Sequence, residues 1–398
     1  MLKKIALITC YFQTNYGSQL QSLATQMIFD KMNVPNETIR IDGLKKEINI
    51  AKYKYFLSRI WDINTIKDKF STVKKVWAQK TKSELKLDLV TRQNKFKNFS
   101  QNMFHLSKLY NSKEELGQQA HNYSAFVVGS DQLWLPSNIE ANYYTLNFVP
   151  LNIPKIALAT SFGISLLPKR QAIKAKKFLQ RLDFCSVREK SGQTIIKNLI
   201  GRDVPIVCDP TILFTSKDWD TIAQSGRFIN EPYLFCYFLG NNPEQREFVK
   251  RFKEKTGYKI VQLQHCDEYI KSDVNFPDYA PYNVGPSEFI QLIRDAEYVF
   301  TDSFHCSVFS MLYGKSFFTF RRYHSDNMVS TNGRLYSLLS ITGLEDRLLT
   351  GSESVDDCLI KKINYNNVHE KLSKFRDFTK EYIENALSQI GIKYDTYR

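Results

Sequence analysis

Several protein classes are excluded by what this chain does not contain. No apolar run comes near the roughly 20 residues that span a bilayer, and none of the 398 residues belongs to a low-complexity tract or a solenoid repeat. The opening MLKKIALITCYFQTNYG sets two lysines before apolar residues, as a secretory leader does. Gln13, Thr14 and Asn15 then interrupt the stretch and no small-residue cleavage site follows, so a buried first strand is expected instead. Cysteine is sparse, seven residues scattered singly, with Cys185, Cys208 and Cys236 inside apolar runs. An odd count without paired spacing fits reduced thiols and a cytoplasmic location. Of the six histidines, His265 and His305 each precede a cysteine, but no CxxC or HxxxH partner exists, and no metal site is expected. Acidic residues are outnumbered 41 to 55, giving a net charge of +14. No recognisable nucleic-acid motif accompanies that charge, and no nucleic-acid partner is expected.

What is present reads as a well-packed globular chain, 43% hydrophobic and 14% aromatic, and long enough for two domains. The positive charge is concentrated. Between Leu44 and Ser100 fifteen Lys or Arg face five Asp or Glu. Phe56, Ile60, Ile63, Phe70, Val73 and Trp77 recur there at helical steps, with Lys67, Lys69, Lys74 and Lys75 between them. This is a basic amphipathic excursion: either a solvated charged face over a buried stripe, or a contact for an anionic membrane surface or a diphosphate-bearing lipid.

Elsewhere short β-branched runs alternate with helical segments, the mark of parallel sheets covered on both faces. KIALITC, ETIRID, SAFVVGSD, KIALATSFG, LDFCSVRE and VPIVCDP are expected strands of a first half, residues 1–215. YLFCYFLG, KIVQLQ, EYVFTDS and SFFTF belong to a second, residues 216–398, closed by a helix from about Asn366 to Ile390. The expected fold class is therefore α/β, with two Rossmann-like doubly wound domains. In such sheets ligands bind beyond the carboxyl ends of the strands. Those ends carry Asn15, Gly17, Ser130, Asp131, Ser161, Arg188, Asp209, Ser303, His305, Arg321 and Arg322. Any one of them alone reads as a cap or turn residue; together they point to one cleft.

The ordered segments NYGSQLQSLA, VVGSDQLW, SVREKSG, CDPT and TDSFHCSVFSMLYGKSFF resemble the polysaccharide pyruvyl transferase family over nearly the whole chain. The resemblance implies a GT-B-like architecture, with the domains facing across a cleft. It also implies transfer of a pyruvyl group from phosphoenolpyruvate to a sugar of a surface polysaccharide or its lipid-linked precursor, as a cyclic ketal. Phosphoenolpyruvate enters as donor substrate and no cofactor is implied. By position His305 becomes the general acid and Arg188 a donor contact. A histidine suits a reaction that first gives and then takes a proton, and a donor carrying carboxylate and phosphate needs guanidinium forks and helix N-termini.

The chain departs from the family's pattern beside that histidine. Ser303 stands where an arginine is frequent and Cys306 where glycine is. A hydroxyl supplies no charged fork, so Arg321 or Arg334 is expected to compensate. Asn15, Gly17, Ser130, Asp131 and Trp134 are the candidate acceptor contacts. Trp134 reads either as a sugar-stacking ring or as a lid on the core, and TNYGSQ as an acceptor or diphosphate cradle without a dinucleotide fingerprint. Two other functions fit the same features: a GT-B glycosyltransferase with a nucleotide-sugar donor, and a peripheral scaffold held at the inner face of the cell membrane through residues 44–100.

Overall fold

The computed structural model describes residues 3–58, 83–265, 270–322 and 333–397. The periodic positions from Ile60 to Trp77 with their lysines, and Cys266, His324 and Asn332, lie outside the described residues.

The first sheet is built from β1 (Lys4–Ile8), β2 (Asn36–Arg40), β3 (Leu106–Leu109), β4 (Tyr123–Val128), β5 (Lys155–Thr160) and β6 (Phe184–Val187), in the order β3-β2-β1-β4-β5-β6. The second holds β7 (Tyr233–Tyr237), β8 (Lys259–Gln262), β9 (Tyr298–Thr301), β10 (Ser316–Phe320) and β11 (Leu348–Leu349), ordered β11-β10-β9-β7-β8. All pairings are parallel. The central strands, such as KIALAT in β5 and YLFCY in β7, are buried at every position, as sheets covered on both faces require. Helices Tyr16–Lys31 and Phe304–Leu312 are buried nearly all round, and outer helices bury one stripe. In Lys169–Leu179 the buried Gln171, Ala175, Phe178 and Leu179 follow the four- and three-residue steps of one face, leaving the lysines outside.

Two expected details differ. VPIVCDP forms no strand: Pro205 and Pro210 bracket it, and it makes only an isolated bridge, Val187 to Ile206, beside β6. The closing helix, Tyr365–Gln389, follows the second sheet in sequence but packs on the first. Tyr382 donates to the carbonyl of Ala157 at 3.0 Å, and Thr379 Oγ1 accepts from the amide of Cys208 at 3.0 Å.

One continuous hydrophobic core runs through both halves. Tyr16, at the start of helix Tyr16–Lys31, stacks on Phe289 of the second half with ring centres 4.6 Å apart and donates to the carbonyl of Val284 at 3.1 Å. Arg92, on helix Ser83–Met103, donates to the carbonyls of Gln264 at 2.6 Å and Pro281 at 2.9 Å. The excursion is thus tied to the second half at its far end.

Candidate active site

Loops leaving the carboxyl ends of strands in both sheets enclose a cavity of about 240 Å³. Asp131 follows β4, Leu239 follows β7, Ser303 and His305 follow β9, and Arg322 follows β10. Arg334, from helix Gly333–Thr342, and Lys52, from helix Lys45–Leu57, complete its charged wall.

His305 occupies the first turn of helix Phe304–Leu312, which Ser303 caps by accepting from the amide of Cys306 at 3.5 Å. Its Nε2 stands 3.4 Å from Asp209 Oδ2, within ion-pair reach but without hydrogen-bond alignment. The other side of the ring lies against Gly17, where a Cβ would come within 2.1 Å of Nδ1. The close approach that Gly17 permits is therefore that of the imidazole, not of a diphosphate.

Asp209 is the hub beneath the ring. Its Oδ2 takes Arg188 Nη1 at 2.6 Å and Ser130 Oγ at 2.8 Å, while Oδ1 takes the amide of Thr211 at 3.0 Å and its hydroxyl at 2.7 Å. Burial pushes its pKa up, but the positive charge and proximity of His305, then Arg188 and the Thr211 bonds, outweigh burial and hold it below the ordinary carboxylate value.

Asp131 faces the cavity from a left-handed backbone, φ 82°. That conformation is costly for a residue with a Cβ and characteristic of functional turns. Ser18 donates to its Oδ2 at 2.7 Å, and Arg188 Nη2 and Arg334 Nη1 stand 3.6 and 3.8 Å from its Oδ1. Burial works against ionisation, yet Arg188, His305 and Arg334 together bring the carboxyl down to about 2. It stays ionised, able to accept a hydroxyl's hydrogen bond without taking the proton.

Positive charge is in surplus here. Burial first, then Arg188 and Arg322, press the Arg334 guanidinium down to about 9, against the pull of Asp131 and Glu189. A guanidinium does not shed its proton in proteins, so Arg334 stays charged, and an anion in the cavity would relieve the pressure. Buried donors without a hydrogen-bond partner point the same way: Arg188 Nε and Nη2, Arg334 Nε, His305 Nε2 and Gln132 Nε2. Buried polar groups are otherwise almost always paired.

Several expected contacts are placed differently. Arg188 does not line the cavity: the Phe304 ring lies over its guanidinium at 4.5 Å, and it reaches the site through Asp131 and Asp209. Ser130 is fully enclosed and bonds Asp209 and the carbonyl of Ala159. Trp134 is a core residue, its indole donating to the carbonyl of Tyr144 at 3.1 Å between Phe162 and Phe178. Arg321 is exposed, its guanidinium over the Tyr336 ring at 5.7 Å. Successive residues leaving a strand face opposite ways, and the neighbour Arg322 takes the cavity side, held by Asp302 through a 3.2 Å bond to its carbonyl. Asn15 lines the cavity while capping helix Tyr16–Lys31 through Ser18 at 3.0 Å.

Sequence reasoning placed Asp209 at the cleft without giving it a role, and did not single out Ser18, Gln132 or Lys52. Asp209 carried a signal, its place in CDPT after an apolar run. Lys52 carried none, being one of fifteen cations in its stretch. Among the described residues no group of three His, Cys, Asp or Glu is arranged to hold a metal ion, and no helix is long and apolar enough to cross a membrane.

Two facing α/β sheets with a cationic cavity between their strand ends define a GT-B-like two-domain fold. The sequence model for polysaccharide pyruvyl transferases matches residues 15–325, and the chain belongs to that family, whose members are transferases acting on polysaccharide. Among curated proteins none matches this sequence. Solved structures with the same architecture include a UDP-N-acetylglucosamine 2-epimerase from Rickettsia bellii, at 9% identity and TM-score 0.55, covering 98% of this chain and 97% of the other. A Listeria monocytogenes protein assigned as a UDP-N-acetylglucosamine 2-epimerase aligns at 10% identity and TM-score 0.54, over 99% of each chain. At these identities the likeness establishes the fold alone.

Proposed function

We propose that this chain transfers the pyruvyl group of phosphoenolpyruvate to a vicinal or spaced pair of hydroxyls on a glycan, forming a cyclic ketal. The observation that carries the reading is the convergence, on one small cavity, of the imidazole of His305 with the cations of Lys52, Arg322 and Arg334. A small anion with carboxylate and phosphate suits that wall.

The chemistry assigns roles to these side chains. His305, as imidazolium balanced by Asp209, protonates the methylene carbon of the enol, and the positive charge develops at the carbon bearing phosphate. The first hydroxyl adds there, oriented by Asp131, and its proton returns to the now neutral imidazole. The carbon–oxygen bond to phosphate then breaks, Arg334 and Arg322 offsetting the charge on the leaving group. The second hydroxyl closes the ketal and its proton leaves with phosphate. Donor and diol alone balance the reaction.

The test combines binding and turnover. Phosphoenolpyruvate, and not uridine or guanosine diphosphate, should raise the melting temperature. Phosphate release from phosphoenolpyruvate with candidate glycosides should accompany a mass gain of one pyruvate ketal. His305→Gln should abolish turnover while leaving the donor's stabilising effect. Stabilisation by a nucleoside diphosphate alone would favour a nucleotide-sugar glycosyltransferase instead.

We further propose that the acceptor is presented at an anionic membrane surface. What supports this is the row of exposed Ile50, Tyr53, Phe56 and Leu57 on helix Lys45–Leu57, which also sends Lys52 to the cavity, within the stretch of fifteen cations. Flotation with phosphatidylglycerol vesicles but not phosphatidylcholine vesicles is the expected result; equal behaviour with both refutes it.

A further inference from the structure

A second cavity, of about 440 Å³, adjoins the first and shares Asn15 and Leu239 with it as a common wall. It is formed at the carboxyl ends of β7 and the edge strand β8, and is roofed by helix Ser83–Met103. Its volume falls within the roughly 300–1,000 Å³ of small-molecule sites.

Its chemistry differs from that of its neighbour. No carboxylate lines it among the described residues, and its one arginine, Arg92, is committed to backbone carbonyls of residues 264, 281 and 282. The rest of the polar lining is mainly amide and imidazole beside aromatic rings. Gln93, exposed on the roofing helix, lines it with His265, Phe96 and Tyr237. Gln264 and Asn15 also line it, but the Gln264 amide already bonds Tyr282 and the carbonyl of Asp273, and the Asn15 oxygen accepts from the amide of Ser18. Amides that both donate and accept, beside aromatic faces, suit a neutral polyhydroxylated ring.

We infer that this second cavity is a saccharide subsite, holding the sugar unit linked to the one that His305 serves, so that the enzyme reads at least a disaccharide. The inference rests on the pyruvyl-transfer reading of the first cavity. The shared wall sets the order: the terminal sugar presents its hydroxyls beside Asp131, and its glycosidic neighbour lies past Asn15.

The experiment uses the full chain, phosphoenolpyruvate, and p-nitrophenyl monosaccharides paired with disaccharides having the same terminal sugar. In the wild type kcat/KM for the productive disaccharide should exceed that of its monosaccharide about tenfold, the scale of one or two hydrogen bonds. Gln93→Trp, which fills the cavity from an exposed position, should remove that ratio. A ratio near one in the wild type, or one unaltered in Gln93→Trp, overturns the subsite. Saturation-transfer NMR separates this from failure of the reaction assignment. Protons of the second sugar should receive saturation in the wild type and lose it in Gln93→Trp even if no glycoside turns over, and absence of transfer in the wild type also overturns the inference.

Discussion

Gly17 and His305 show how far one hydrogen can govern a site. The helix that carries Gly17 comes from the first half and the imidazole from the second, and only the missing side chain lets them meet. Gly17→Ala should displace the ring by an ångström or more. A shift of that size costs about a hundredfold in rate, so kcat should fall by that order with the fold retained by circular dichroism. An unchanged kcat would mean that ring placement against this helix is irrelevant. Asp131 leads to a prediction about acid. Its folded pKa of about 2 lies below an unfolded carboxylate value near 3.9, so its contribution is complete above about pH 4 and is lost as pH falls towards 2. The contribution is on the order of 2–3 kcal/mol. In denaturant titrations Asp131→Asn should lower stability at pH 7 and flatten the loss between pH 4 and 2; a slope identical to the wild type would contradict the assignment.

At the level of elements, strands and covering helices are legible because burial on both faces demands near-continuous apolar runs and amphipathic helices repeat every three or four residues. β3 is not, since LSKL buries little more than Ser107 at the sheet edge. VPIVCDP resembles a strand but pairs with β6 only through the carbonyl of Pro205 and the amide of Val207, before the amide of Cys208 turns to Thr379. In the site, residues at strand ends could be assembled into one crevice from pattern alone, yet which of two adjacent residues turns inward depends on the last peptide of the strand. That is why the pattern does not tell Arg321 from Arg322. The two readings of Trp134, sugar-stacking ring or lid on the core, are separated only by its packing between Phe162 and Phe178. The anchoring of helix Ser83–Met103 is equally invisible, for Arg92 meets backbone carbonyls and Lys95 pairs with the distant Glu288. Arg92→Ala leaves buried carbonyls without donors and should cost on the order of 3 kcal/mol, read as a lower denaturation midpoint. No loss would show that the excursion is held by other contacts.

For the whole molecule, the first half supplies Asp131 and Asp209 and the second His305, Arg322 and Arg334, so a donor bound between them ties two sheets together. A ligand at a hundred times its dissociation constant stabilises by about 2.7 kcal/mol, or a rise in melting temperature of about 3 °C for a chain of this size. Phosphoenolpyruvate should produce such a rise in wild type and far less in Arg334→Met, whose own stability need not fall, since an uncomfortable cation has been removed. A full response in that variant would exclude Arg334 from the donor site.

The return of helix Tyr365–Gln389 to the first sheet has a consequence for biosynthesis. Phe29, Val127, Ile156 and Leu158 meet the residues Ile383, Ala386 and Leu387 that are translated more than two hundred positions later. The first lobe must therefore wait, unroofed, while its companion is threaded out of the ribosome, and catalytic competence arrives only after helix Tyr365–Gln389 has been made.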